Sequence, residues 1–132
     1  MMSDGQLNNI LYVEDDPSMR MLVEMTLEDG GFNIEVAERC DEAVGIAQYY
    51  KPDLLLLDVV LPEKDGVETL IALRKLEGLE NIPAIFLTVD VELSFPKNQD
   101  QADYQPYGIL GKPIQVDTLC DRVRELWRGF QS

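Results

Sequence analysis

The sequence has 132 residues, of which 45% are hydrophobic, and a formal net charge of −14. This length and hydrophobic content predict one globular domain with a buried core and leave no room for a second domain of ordinary size. The negative charge argues against direct binding to nucleic acid or to an anionic membrane. No apolar stretch approaches the roughly 18 residues of a membrane span, and the polar N-terminus lacks a signal-peptide pattern, so we expect a cytoplasmic location.

The sequence contains no histidine, and its two cysteines are Cys40 and Cys120. The lack of histidine removes the commonest general base, excludes histidine metal ligands, and excludes this chain as a phosphohistidine carrier. The cysteines lack metal-binding or redox spacing, so we expect them to be reduced packing residues. Any site chemistry must therefore use carboxylates, hydroxyls, lysine or the backbone.

Short apolar runs typical of strands alternate along the chain with patterns typical of amphipathic helices. The predicted strands cover 10–13, 32–37, 54–58, 84–88 and 108–110. The predicted helices begin at or near Pro17, Cys40, Val67 and Val116, and 89–107 is predicted to be a loop with at most a short helix near 100–105. This alternation predicts an α/β fold, a flavodoxin-like doubly wound sheet of five parallel strands in the order 2-1-3-4-5 with helices on both faces.

Glycine and proline set the predicted ends of the first two helices. Gly30-Gly31 ends the first helix, and Pro52 ends the second after Tyr50, because the residue before a proline avoids helical geometry. The apolar stripe of the first helix is predicted to comprise Met19, Leu22, Val23, Met25, Thr26 and Leu27.

The four consecutive leucines of the third predicted strand, 54–57, cannot alternate between a wet and a dry face. They predict a central strand covered on both faces, as in parallel sheets that lie between two layers of helices. The run stops at Asp58, at the edge of the sheet where open α/β folds bind their ligands. Taken alone, Asp58 is more often a simple strand-ending aspartate.

Other strand ends supply matching chemical groups. Asp15 and Asp16 follow the first strand, Thr88 ends the fourth, and Lys112 follows the fifth. Each has an ordinary explanation by itself, because the acids can cap a helix, the threonine can be a β-branched strand residue and the lysine can be solvated. In the predicted strand order, however, all of them lie at the same edge as Asp58.

Three carboxylates in one crevice repel one another by about 3–4 kcal/mol per close pair. Mg²⁺ can compensate this charge, because it binds one or two carboxylates together with water and a phosphate oxygen. The groups suit phosphoryl transfer onto Asp58, with the metal and Lys112 offsetting charge and Thr88 donating a hydrogen bond to the phosphoryl group.

This combination of motifs resembles the receiver domain of two-component response regulators, of the single-domain type found in chemotaxis regulators. The resemblance extends over 7–129 and rests on Glu14-Asp15-Asp16, the strand ending at Asp58, Leu61-Pro62, Asp65-Gly66, Thr88 and Lys112-Pro113. It implies that Asp58 is the phosphoacceptor, Thr88 the switch hydroxyl and Lys112 the phosphate-contacting lysine. It also implies that Asp16 binds Mg²⁺ directly, Asp15 largely through water, and the backbone carbonyl of Val60 as a further ligand.

The resemblance further implies the partners of the chain. The phosphoryl donor would be a phosphohistidine on a histidine kinase or histidine phosphotransfer protein, and an unidentified downstream protein would bind the switched surface. The chain would not be an enzyme beyond self-phosphorylation from a donor and slow self-dephosphorylation. A homodimer would use the face formed by the fourth helix, fifth strand and fifth helix of the family.

The sequence departs from the family pattern in three places. The region of the family's fourth helix contains Pro96 and is predicted to be irregular. Ile109 occupies the usual position of a switch aromatic residue, and the branched Val89 occupies that of a small residue. These departures leave open a receiver-like module that docks a partner without phosphorylation. A phosphatase of the haloacid type is a second alternative, but it needs an acid two residues after the nucleophile, and Val60 is there.

Overall fold

The computed structural model describes residues 6–89 and 101–131 of the chain. In these ranges it contains, in chain order, β1 (Asn9–Val13), α1 (Pro17–Asp29), β2 (Asn33–Ala37), α2 (Cys40–Ile46), β3 (Leu54–Asp58), α3 (Gly66–Arg74), β4 (Ala84–Thr88), a 3₁₀ helix (Gln101–Tyr104), β5 (Tyr107–Gly111) and α4 (Leu119–Gln131). None of the helices within the described ranges has the length and apolar character that a membrane span requires.

The five strands form one parallel sheet in the order β2-β1-β3-β4-β5. This confirms the predicted flavodoxin-like topology. The register aligns the strand ends, because Asp58 lies beside Leu87 and Thr88 lies beside Gly111. Side chains at or just after the carboxyl ends of β1, β3, β4 and β5 therefore meet at one edge of the sheet.

The leucines of β3 divide between two hydrophobic clusters. Leu55 and Leu57 belong to the cluster that α2 and α3 cover, whereas Leu54 and Leu56 belong to the cluster that α1 and α4 cover. All four are fully buried, and each such burial contributes about 1.5–3 kcal/mol to stability. The prediction of a central strand covered on both faces is confirmed.

The buried face of α1 is narrower than the predicted stripe. Val23 and Leu27 are fully buried on one line of the helix, but Met25 is 57% exposed and Leu22 is also exposed. The residues on this i, i+4 line face the sheet, whereas Leu22 and Met25 lie on other sides of the helix and face solvent.

The helix α2 ends at Ile46, four residues before the predicted end at Tyr50. The N–H groups of Gln48 and Tyr49 then donate to carbonyls three residues back, at 3.2 and 3.1 Å. The Tyr50 hydroxyl then donates to the carbonyls of Ile10 and Asn33, at 3.2 and 2.7 Å. The chain therefore turns back to the sheet before Pro52 can act as the stop.

The C-terminal and connecting segments differ from prediction in smaller ways. Val116 precedes α4 in a turn, outside the helix that was predicted to include it. The short helix predicted near 100–105 is present as the 3₁₀ helix Gln101–Tyr104. The irregularity predicted around Pro96 lies outside the described residues.

Candidate functional site

The carboxylate of Asp58 is buried at the end of β3 and accepts hydrogen bonds from the backbone and from a lysine. Its Oδ1 accepts a hydrogen bond from the N–H of Val60 at 3.2 Å. Its Oδ2 accepts one from Nζ of Lys112 at 3.1 Å. A backbone dipole and one cation therefore fix the orientation of this carboxylate at the edge of the sheet.

The start of α3 packs directly on the backbone of Asp58. Asp65 caps this helix in a capping box with Glu68, and the N–H of Gly66 donates to the carbonyl of Val59 at 2.9 Å. A Cβ atom on Gly66 would lie 2.5 Å from the carbonyl oxygen of Asp58. The glycine of the Asp65-Gly66 motif is thus required by close approach to the residue at the centre of the site.

Glu14, directly after β1, is only 1% exposed and is held by several groups. Its Oε1 accepts from Nζ of Lys112 at 3.3 Å and from the Tyr12 hydroxyl at 3.1 Å. Its Oε2 accepts from the N–H of Asp16 at 3.3 Å, and Arg20 donates to its carbonyl at 2.8 Å. Glu14 is a site residue that was not predicted from the sequence.

The acidic cluster at the edge of the sheet consists of Glu14, Asp15 and Asp58. One carboxylate oxygen of each lies within 4.8 Å of the others. The structure thus brings Asp15 together with Asp58, as predicted, but the third acid is Glu14. Oxygen ligands at this spacing fit Mg²⁺, which prefers carboxylates and water.

Asp16 has a different position from the one expected of a metal ligand. Its Oδ1 accepts from the N–H groups of Ser18 and Met19, at 2.9 and 3.3 Å, so it is the N-cap of α1. One signal in the sequence indicated this capping role, and a second indicated that Glu14 lies at the site. Asp16 directly precedes Pro17, which is typical of a cap before a proline at the first helical position. Glu14 lies two residues after Tyr12, and strand alternation puts both on one face of the sheet.

The charges at the site leave an excess of negative charge. Burial raises the pKa of Glu14 to about 7, together with a hydrogen bond that protonated Glu14 donates to Asp58 and the negative charge of Asp58, although Lys112 acts in the opposite direction. Burial alone would lower the pKa of Lys112, but the hydrogen bonds that it donates to Asp58 and Glu14 and the negative charges of these acids outweigh burial and raise that pKa. Lys112 therefore stays positively charged and offsets only part of the charge of the three acids. The remaining negative charge attracts a divalent cation.

Thr88 completes the set of predicted residues at this edge. It is buried at the end of β4, and its carbonyl accepts from the N–H of Lys112 at 2.8 Å. The residue after β3 is also hydrogen-bonded to β4, because the N–H of Val59 donates to the carbonyl of Leu87 at 3.1 Å. Thr88 and Lys112 are thus placed by adjacent strands on the side of β3 opposite β1.

The sheet order and an acidic cluster with a lysine at the carboxyl edge define a receiver-type α/β domain. The sequence profile of the response regulator receiver domain matches 10–124. The chain therefore belongs to the receiver domain family of two-component response regulators.

Solved structures and relatives agree with this assignment. The chemotaxis protein CheY4 of Vibrio cholerae is 30% identical with a TM-score of 0.79, and the match covers 91% of this chain and 98% of that one. The receiver domain of the sensor histidine kinase PA1611 from Pseudomonas aeruginosa is 27% identical with a TM-score of 0.75, over 94% of this chain and 99% of that one. That structure holds a magnesium ion in its active site cleft.

An uncharacterised 14.6 kDa protein in the sodA1 3′ region of Leptolyngbya boryana is 42% identical over 122 residues, which is 92% of each chain. Other curated relatives are longer, and this chain spans about half of their length. Transcriptional regulators are among them.

Proposed function

We propose that this chain is a phosphoacceptor receiver domain in which Asp58 takes a phosphoryl group from a partner phosphohistidine. The observation that carries the proposal is the buried Asp58 carboxylate, held between Lys112 and the N–H of Val60 beside two further acids. The donor would be a histidine kinase or a histidine phosphotransfer protein. This agrees with a chain that has no histidine of its own.

In the transfer, a carboxylate oxygen of Asp58 attacks phosphorus while the bond from phosphorus to the histidine nitrogen breaks. That nitrogen keeps the bonding electrons and the other ring nitrogen carries a proton, so the partner leaves as neutral imidazole and Asp58 becomes a mixed anhydride. Lys112, 3.1 Å from Oδ2, offsets charge on the phosphoryl oxygens. Thr88, at the end of the adjacent strand, donates its hydroxyl to one of them.

Glu14, Asp15 and Asp58, with the backbone carbonyl of Val60, form the proposed site for Mg²⁺. When bound, the cation would neutralise charge on the phosphoryl oxygens. We assign Asp16 to the helix cap rather than to direct ligation, because its carboxylate accepts two N–H groups of α1.

Phosphorylation would act by shifting a two-state equilibrium. Hydrogen bonds from Thr88 and Lys112 to the new phosphoryl group would favour one arrangement of the segment that follows β4, and a downstream protein would bind that arrangement. The chain would then switch a partner rather than turn over a substrate.

Incubation with acetyl phosphate and Mg²⁺, followed by intact-mass measurement, tests the proposal. The wild type should gain one phosphoryl group, Asp58→Asn should gain none, and the exposed control Asp117→Asn should behave like the wild type. A wild type that gains no phosphoryl group would sink the proposal, and equal labelling of Asp58→Asn would move the acceptor elsewhere.

A second candidate is a receiver-like module that docks its partner regardless of phosphorylation. It is favoured by Ile109, a partly buried aliphatic residue in β5 where the family resemblance leads us to expect an aromatic one. Equal partner affinity of the wild type before and after acetyl phosphate treatment would support this module. A phosphatase of the haloacid type is not supported, because Val60 supplies no acid two residues after Asp58.

A further inference from the structure

We infer that Tyr12 is a positioning residue for the metal and phosphoryl site, acting through Glu14. This inference rests on the proposed function. Tyr12 lies in β1, is fully buried, and donates its hydroxyl to Oε1 of Glu14 at 3.1 Å. The two residues are two positions apart in sequence, so their side chains leave the same face of the sheet.

The hydroxyl of Tyr12 is not needed to fill the core. Its strand neighbours Ile10, Leu11 and Val13 are fully buried and purely apolar, and phenylalanine would occupy almost the same volume. A buried hydroxyl without a partner is destabilising because it loses its hydrogen bonds to water, so a tyrosine at this position depends on its acceptor. That acceptor is a carboxylate of the acidic cluster.

Among the described residues, Tyr12 and Lys112 donate to Oε1 of Glu14, and the Tyr12 hydroxyl donates to this acid alone. The other donor, Lys112, is shared with Asp58, at 3.3 Å from Glu14 and 3.1 Å from Asp58. A phosphoryl group on Asp58 would draw Lys112 toward its own oxygens. Tyr12 would then hold Oε1, while the N–H of Asp16 holds Oε2.

Fixing both oxygens of Glu14 keeps its carboxylate directed at the metal position before and after phosphorylation. Loss of such an outer partner lowers metal affinity by about 10–100-fold in known metal sites. We therefore expect Tyr12→Phe to raise the Kd for Mg²⁺ by roughly tenfold. The maximal phosphorylation rate at saturating Mg²⁺ should stay within about twofold, because the groups that contact the phosphoryl group are retained.

The experiment is a calorimetric titration of Mg²⁺ into the wild type, Tyr12→Phe and the matched control Tyr50→Phe. Tyr50→Phe also removes hydrogen bonds from a tyrosine hydroxyl to the sheet. The acceptors of these bonds are the carbonyls of Ile10 and Asn33, which lie away from the acidic cluster. Circular dichroism and cooperative unfolding check that each variant is folded. Only Tyr12→Phe should change the Kd.

A double-mutant cycle tests whether Tyr12 acts through its proposed partner. In the Glu14→Gln background, Tyr12→Phe should have little further effect on the Kd for Mg²⁺. Full additivity of the two effects would place the action of Tyr12 elsewhere and overturn the inference. Equal Kd values for the wild type and Tyr12→Phe would overturn it as well.

A measurement on the wild type does not depend on how the variants fold. The NMR signals of the Tyr12 ring and of the Glu14 carboxyl carbon should shift with one midpoint as Mg²⁺ is added. A Glu14 signal that shifts while the Tyr12 signal does not would overturn this inference and leave the proposed function intact. A wild type that binds no Mg²⁺ would instead overturn the metal site of the proposed function and, with it, this inference.

Discussion

Nζ of Lys112 lies 3.1 Å from Oδ2 of Asp58, although the two residues are 54 positions apart in sequence. The same nitrogen lies 3.3 Å from Oε1 of Glu14. One cation thus links the ends of β1, β3 and β5. Its removal should affect cation binding and phosphoryl uptake in opposite directions.

We expect Lys112→Met to bind Mg²⁺ more tightly than the wild type, because the acidic cluster loses its compensating charge. We expect phosphoryl uptake from acetyl phosphate to fall by roughly tenfold or more, because no fixed cation then offsets the phosphoryl charge. Calorimetry and the rate of mass gain measure the two effects. Lys75→Met, which changes an exposed lysine after α3, is the control, and weaker Mg²⁺ binding by Lys112→Met would contradict this reasoning.

The raised pKa of Glu14 predicts a pH dependence of stability in the absence of Mg²⁺. The folded state keeps the proton up to a pKa of about 7, whereas the unfolded chain releases it near 4.5. Between these values the folded state binds more protons, so the free energy of unfolding falls as pH rises from about 4.5 to about 7. The loss should be roughly 1–3 kcal/mol, since each pKa unit corresponds to about 1.4 kcal/mol.

Urea unfolding in EDTA at a series of pH values measures this loss. The pH dependence should become flatter in Glu14→Gln, which carries no titrating group at this position. Mg²⁺ should restore stability most at the higher pH values, where Glu14 is ionised and can bind it. A slope that Glu14→Gln leaves unchanged would show that other groups produce it.

The close approach of α3 to β3 predicts opposite effects for two glycine substitutions. Gly66→Ala would place a Cβ 2.5 Å from the Asp58 carbonyl oxygen, so we expect a loss of about 1–3 kcal/mol from overpacking and slower phosphoryl uptake. A Cβ on Gly45, within α2, would meet no neighbouring atom outside its own helix backbone within 4 Å, so Gly45→Ala should raise the free energy of unfolding by about 0.5–1 kcal/mol. Urea unfolding measures both, and a Gly66→Ala variant as stable as the wild type would show that the loop shifts at no cost.

The fold could be predicted from the sequence because its signals are local. The leucine run 54–57 has no polar face, so it had to be a central strand. Alternation of strands and helices then restricted the order of the sheet and brought Asp58, Thr88 and Lys112 to one edge. Each of these steps needed only the pattern along the chain.

The composition of the acidic cluster was harder to predict because three acids follow one another after β1. Which of them faces the crevice depends on where the strand ends and the helix begins, and a shift of one residue reverses the face. β1 ends at Val13 and α1 begins at Pro17, which leaves Glu14 in line with the strand and Asp16 at the cap. The contact of Glu14 with Lys112 joins residues 98 positions apart, so no local pattern reports it.

Substitution of the two adjacent aspartates separates the cap from the metal site. Asp16→Ala should cost about 1 kcal/mol of stability, because the N–H groups of Ser18 and Met19 lose their acceptor, and should leave the Kd for Mg²⁺ within about twofold. Asp15→Asn should raise that Kd by about tenfold or more, because a ligand is lost. It should leave stability unchanged or improved without Mg²⁺, since one repulsive charge is removed.

Calorimetry with Mg²⁺ and urea unfolding in EDTA, carried out on both variants, give the four numbers needed. The reverse pattern would show that Asp16 binds the metal directly. In that pattern Asp16→Ala abolishes Mg²⁺ binding and Asp15→Asn leaves it intact. The hydrogen bonds from Ser18 and Met19 to Oδ1 argue for the first outcome, because a carboxylate engaged by two donors at the start of a helix loses them if it turns to a cation. The cap of α1 is formed by Asp16 and not by Asp15, and the carboxylate of Asp15 lies within 4.8 Å of those of Glu14 and Asp58.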